Sequence, residues 1–257
     1  MLMKQIVLTM MALAITCAQA TAQNRVKNLY TETQALKVEQ VQSTENPVQV
    51  NRYLFAGYNT LCLPMTLSAE QFAATAKDVR IERLAAIRQV GTTLQLCFVD
   101  CTNDGIEAGV PYLIFSPTRQ YLRALNTEAN AIDTEIKTVR MDDGQGNQVS
   151  FASSWTSRQK NGLYGIPAKQ NVEILESVLV RTTEELAFLP TRCGFSWEQQ
   201  SATAQNLEIV HMNAAEVTAI GQIKADNTNE TIYDLNGRRV NAPVKGIYIK
   251  GGKKVVK

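Results

Sequence analysis

The chain runs to 257 residues, of which 45% are hydrophobic and 19% charged, a balance that supports a packed core in one or two domains. A formal net charge of +2 excludes the strong basic excess of a general nucleic-acid binder. After the amino-terminal leader no stretch approaches the run of about 20 apolar residues that spans a bilayer as a helix, so no transmembrane segment is expected in the mature chain.

In chain order, residues 1–22 place Lys4 ahead of an apolar run from Ile6 to Ile15 and then small residues, the layout of a secretory signal peptide. Cleavage is expected after Ala20 or Ala22. A lipid anchor on Cys17 is the weaker reading, because Ile15 and Thr16 precede that cysteine where a small residue with an upstream leucine is usual. The protein is therefore expected to be exported through the inner membrane and to be extracellular or on the outer cell surface, with the periplasm as the alternative. Cys62, Cys97, Cys101 and Cys193 remain in a compartment where disulfides persist, and four cysteines allow three pairings. On one continuous strand Cys97 and Cys101 would stand about 13 Å apart, so they can pair only through a turn near Asp100. A cross-strand pair using Cys62 or Cys193, and buried thiols, are the other readings.

Past a polar leader, "NRYLFAGYNTLCLPMTL" reads as strand broken at Pro64. In "SAEQFAATAKD", Ser68 and Gln71 have capping-box spacing, and the alanine-rich interior predicts the one short helix, ending near Asp78. "VRIERLAAIRQ" and "TTLQLCFVD" flank Gly91 and predict a hairpin, and "GVPYLIFSP" predicts a short apolar strand. "YLRALNTE", "IDTEIKTVRM", "QVSFASSW", "GLYGIP", "VEILESVLV", "ELAFLP" and "NLEIVHM" are further strand candidates. Many short strands with regular turns predict an all-β fold, a β-sandwich or open barrel, since a parallel α/β sheet would need crossover helices the chain lacks.

Chemistry is sparsely signalled. His211, the only histidine, alternates with apolar residues in "LEIVHMN" and reads as a structural strand residue. A Cys-His pair through Cys193 or Cys62 would need a tertiary approach, and nothing resembles G-x-S-x-G. Cys97, Cys101 and His211 lack the paired short spacings of a zinc site. "DDGQGN" at 142–147 reads as a β-turn, because Ser153 stands where a calcium loop needs its bidentate acid. Glu184 and Glu185 are adjacent and would point to opposite faces of a strand. No phosphate loop or dinucleotide fingerprint is present. No catalytic residue, metal or cofactor is assigned. The ligand candidates are aromatic: Trp155 and Tyr164 bracket "TSRQKNGL", and Phe195 and Trp197 lie in "CGFSW", where loops would offer stacking surfaces to a glycan or peptide.

The last segment, "TIYDLNGRRVNAPVKGIYIKGGKKVVK", predicts a small β-hairpin module at 231–257. Asn236-Gly237 is a strong hairpin turn, Gly251-Gly252 marks a second, and the lysines suit charged edge strands. Residues 214–230 read as a linker behind a β-domain at 23–213.

"YNTLCLPMTLSAEQ", "GTTLQLCFVD", "IEAGVPYLIF" and "NGLYGIPA" follow an order that resembles secreted β-rich proteins of Gram-negative anaerobes. The tail is similar to the C-terminal sorting domain of type IX (Por) secretion, carried here by Tyr233, Asp234, Leu235, Gly237, Arg238, Arg239, Gly246, Tyr248, Lys253 and Lys254. That resemblance implies recognition by export machinery in the outer membrane. The expected function is a non-enzymatic secreted or surface protein serving adhesion or glycan and protein binding. An extracellular hydrolase of polysaccharide or peptide is the alternative.

Overall fold

The computed structural model describes residues 26–37, 41, 48–126, 132–156, 158–159, 162–167, 178–182, 187–199, 204–218, 232–233, 239–240, 247–250 and 253–256. Through them the chain is all-β, built from several sheets. Strands β1 (Lys27–Tyr30), β2 (Val48–Leu54) and β3 (Gly57–Leu61) lead to helix α1 (Ala69–Ala73), then to β4 (Arg80–Val90), β5 (Thr93–Asp100), β6 (Tyr112–Ser116) and β7 (Gln120–Leu125). There follow β8 (Val139–Asp142), β9 (Asn147–Ala152), β10 (Arg158–Gln159), β11 (Tyr164–Gly165), β12 (Val180–Arg181), β13 (Ala187–Phe188), β14 (Gly194–Gln199) and β15 (Asn206–Met212). The tail carries β16 (Ile232–Tyr233), β17 (Arg239–Val240), β18 (Ile247–Lys250) and β19 (Lys253–Val256).

One five-stranded sheet has the order β15-β5-β4-β6-β3 and another β12-β11-β14-β9-β8. They meet through three aromatic rings. Phe151 of β9 and Phe195 of β14 stack at 4.2 Å with planes 7° apart, and Phe98 of β5 packs its edge against both, at 5.9 and 6.2 Å. All three are fully buried, each contributing about 2–3 kcal/mol of hydrophobic stabilisation. The β4–β5 hairpin forms as the sequence predicts, with Gly91 at φ 60 supplying the left-handed residue its tight turn requires. Gly109, in "IEAGVPYLIF", has φ 75, and a Cβ there would run into the Glu135 carbonyl oxygen.

A third sheet, β1-β2-β7, places the apolar residues Leu29, Val48, Val50, Leu54, Leu122 and Ala124 in the common core. β1 lies in the segment read as a polar leader. It pairs parallel to β2, as β15 does to β5. Parallel neighbours cannot be joined by a tight turn, and the chain between them runs through residues 31–47 in the first pair and 101–205 in the second.

The capping box of α1 is present: Ser68 Oγ accepts from Gln71 N–H, and Gln71 Oε1 accepts from Ser68 N–H. The helix stops at Ala73, short of the predicted end near Asp78. Gln120 on β7 explains this: its side chain accepts from Lys77 N–H and donates to Lys77 C=O, holding the exit segment outside helical geometry. Asp78 then takes a left-handed φ of 54 before β4 begins.

Of "IDTEIKTVRM" only the last three residues are strand, the start of β8, and of "GLYGIP" only Tyr164–Gly165, whereas "CGFSW", read as a loop, enters β14 at Gly194. The expected linker begins with a helical turn at 214–218, where Asn213 and Glu216 make a reciprocal cap. In the tail, β16 pairs antiparallel with β17 and β18, and β18 with β19, giving a four-stranded sheet of order β17-β16-β18-β19. Residues 1–22 with Cys17, most of "VEILESVLV", Glu184, Glu185, Asp234, Leu235, Gly237, Arg238 and Gly246 lie outside the described residues.

Candidate functional site

Successive residues of a strand face opposite ways, so the sheet that buries Val48, Val50 and Leu54 on one face carries Gln49, Asn51 and Tyr53 on the other, where Asn51 is itself covered and only 2% exposed. The neighbouring strands add Asn28 and Tyr30 from β1 and Tyr121, Arg123 and Leu125 from β7. On this outer face four rings run in line. Tyr30 meets Tyr121 edge-on at 6.2 Å, Tyr121 meets Tyr53 at 5.2 Å, and Tyr53 meets Phe55 at 5.1 Å. Tyr30 is 43% and Tyr121 39% exposed, unusual for large rings that ordinarily sink into a core.

Beside the rings lies an amide network. Gln49 Nε2 donates to Asn28 Oδ1 at 3.1 Å and to Asn51 Oδ1 at 2.7 Å, while Asn51 Nδ2 donates to Asn28 Oδ1 at 3.0 Å. The network holds the Asn28 and Gln49 amides beside the aromatic strip, anchored by Asn51. Amide groups both donate and accept, as sugar hydroxyls do, and edge-packed rings leave faces open for stacking.

At the Phe55 end of the strip the Arg192 guanidinium carbon sits 5.7 Å from the ring centre. Arg192 follows Thr191, a fully buried β-branched residue at φ 66, a conformation such residues rarely take. Arg52, on the core face of β2 and only 1% exposed, donates through Nη1 to Glu32 Oε1 at 2.9 Å and to the Tyr53 carbonyl. Glu32 Oε1 also accepts from Tyr53 N–H, taking over from β1 where that strand ends. Burial pulls the Arg52 guanidinium below its ordinary value against the opposing effect of Glu32. Burial and the Arg52 charge push Arg192 down to about 9.

The four aromatic residues singled out in the sequence do not form one site. Phe195 lies in the core and Trp155 is buried, donating Nε1–H to Thr134 C=O at 2.7 Å. Tyr164 and Trp197 are half-buried and tilted together at 6.2 Å, and Trp197 Nε1 donates to Asn147 Oδ1. Tyr30, Tyr53, Phe55 and Tyr121 were not singled out. Their signal was present as period-two alternation, in "VQVNRYL" and "QYLRAL", which puts the aromatics and amides opposite the aliphatics.

His211 Nδ1 lies 2.6 Å from Glu82 Oε2, and its ring stacks on Tyr58 at 4.5 Å. Glu82 is only 4% exposed, so the imidazole compensates a buried carboxylate, in keeping with a structural role. Burial and the Glu82 charge raise the Tyr58 phenol. The four cysteines stand as buried thiols. The chain turns after Asp100, as a Cys97–Cys101 link would require, and the Cys62 segment lies beside that of Cys193, with Cys62 N–H donating to Thr191 C=O. Burial raises the Cys62 thiol well above its ordinary value and pushes Cys101 up to about 12, so neither presents a thiolate nucleophile at neutral pH. In the 142–147 turn, Asp143 Oδ1 accepts from Gln145 and Asn147 N–H, and Oδ2 accepts from Asn147 Nδ2, so both oxygens hold the turn. Among the described residues no group of three His, Cys, Asp or Glu gathers in metal-binding range. No helix among them is long and apolar enough to cross a membrane.

No family model, curated protein or solved structure matches the chain.

Proposed function

We propose that the protein is a secreted or cell-surface, non-enzymatic glycan-binding protein that uses the outer face of the β1-β2-β7 sheet. The observation that carries this reading is the aromatic strip Tyr30–Tyr121–Tyr53–Phe55, exposed at Tyr30 and Tyr121, running beside the amides of Asn28 and Gln49, which the buried Asn51 holds in place. Sugar rings present an apolar face edged with hydroxyls, and this surface supplies the complement to both. Glycan-array screening followed by calorimetry tests it. Tyr121→Ala is expected to weaken binding roughly tenfold with little loss of stability, since the ring is 39% exposed. A wild-type chain that binds no glycan, or a Tyr121→Ala variant of unchanged affinity, overturns the reading.

Export is proposed from the signal-like leader and the sorting-like tail, with outer-membrane export machinery as partner. The self-paired order of β16 to β19 supports a tail that acts as its own unit. Truncation after Glu230 is expected to leave the chain inside the outer membrane. Unchanged delivery to the exterior, scored by protease accessibility on whole cells, refutes a sorting role.

A further inference from the structure

Two arginines and one glutamate meet where the aromatic strip ends, and their charges do not balance. Arg52 is 1% exposed, yet its Nε and Nη2 make no hydrogen bond, and the buried Nε of Arg192 makes none. Glu32 gives Oε1 to Arg52 Nη1 and Tyr53 N–H, while its Oε2 has no partner. A buried guanidinium with idle donors is costly, because each N–H has surrendered water without replacement. One carboxylate beside two guanidinium groups leaves a net positive charge in a poorly solvated place.

The layout gives that charge an outlet. Arg192 is half-buried and lies over Phe55, which edge-packs on Tyr53, so the cation closes the strip. The left-handed Thr191 that delivers Arg192 has a buried hydroxyl with no partner and sits in a strained conformation. Strain of this kind persists where the surrounding structure imposes it, often at ligand clamps. Arg192 is thereby held against the ring while Arg52 stands behind it.

We infer that Arg192, backed by Arg52, forms an oxyanion subsite at the end of the aromatic strip, so that the glycan bound there is acidic, bearing a carboxylate or sulfate next to the sugar that stacks on Phe55 and Tyr53. The inference rests on the glycan-binding reading and narrows its ligand class. Guanidinium nitrogens match the paired oxygens of either group, and the partly desolvated setting strengthens such a bond over one made in open water. Glu32 limits the excess to one positive charge, which favours a singly charged group over a dianion.

The test compares matched oligosaccharides by calorimetry: a neutral gluco-oligosaccharide, an oligogalacturonate and a sulfated oligosaccharide, each at low and high salt. Wild-type protein is expected to prefer an acidic oligomer at least tenfold, with the preference shrinking at high salt. Whether the uronate or the sulfate is preferred identifies the oxyanion. Arg192→Ala should abolish the preference, read as the ratio of acidic to neutral affinity within the same variant, and Arg192→Lys should restore only part of it, because the paired geometry is lost. Neutral and acidic oligomers bound alike by the wild type, or a preference untouched in Arg192→Ala, would refute the acidic subsite while the glycan reading stands. Failure of all three to bind would remove the glycan reading and the subsite with it. Should Arg192→Ala unfold, Arg192→Gln with its fold verified by circular dichroism replaces it under the same criteria.

Discussion

Phe195→Ala is expected to destabilise the chain by about 3–5 kcal/mol, a fall in melting temperature of roughly 10 °C. Phe195 is wholly buried, stacked at 4.2 Å on Phe151 and edge-on to Phe98. Its ring occupies the junction of the two five-stranded sheets, with Phe151 and Phe98 fixed on separate strands. Truncation removes the transfer energy and leaves a cavity those strands cannot close without breaking their ladders. Denaturant unfolding monitored by circular dichroism measures the loss, with Tyr121→Ala as a surface control expected within about 1 kcal/mol of wild type. A Phe195→Ala chain as stable as that control would show that the sheets do not depend on this contact.

Glu32→Ala is expected to cost a similar amount, about 3–5 kcal/mol, although the glutamate is a partly exposed residue outside regular structure. Its side chain is 22% exposed, but the arginine it neutralises is 1% exposed. Removing the carboxylate strands a buried guanidinium and also deprives Tyr53 N–H of its acceptor. The double replacement Glu32→Leu with Arg52→Met is expected to cost less than Glu32→Ala alone, because neither charge is then left buried without its partner. The asymmetry between the two variants is the diagnostic result. If Glu32→Ala unfolds at the wild-type denaturant midpoint, Arg52 is not held by this pair.

The subsite and the ion pair share atoms, so stability and binding are linked. An anion bound beside Arg192 would satisfy donors that the folded chain leaves idle, and a ligand that binds only the folded state raises stability by mass action. The strained Thr191 turn fits the same pattern, in which local cost is carried by a well-packed surround.

Some features were legible because the responsible signal is local. Alternation marked β15, apolar and aromatic content marked β7 and the second half of β2, the Gly91 turn set the β4–β5 hairpin, and Ser68 with Gln71 fixed where the helix starts. The helix end was not legible, because Gln120, 43 residues further on, holds Lys77 out of the helix. Strand β1 was missed because its sequence, "KNLY", sends a single side chain, Leu29, into the core and carries almost no apolar pattern of its own. Its place depends on the parallel ladder with β2, which joins residues more than twenty positions apart.

The same division governs the site. The sequence by itself determined that the chain builds sheets, where its tight turns fall, and that Asn51 and Tyr53 within one strand share a face, since period two follows from backbone geometry alone. Tertiary structure decided that Tyr30, Tyr121 and Tyr53 form a single strip, that Phe195 is core instead of ligand surface, and that Arg192 stands beside Arg52. Those juxtapositions come from which strands pair and which sheet faces meet, and pairing is set by the burial of the whole apolar set at once, a quantity no short window of residues contains.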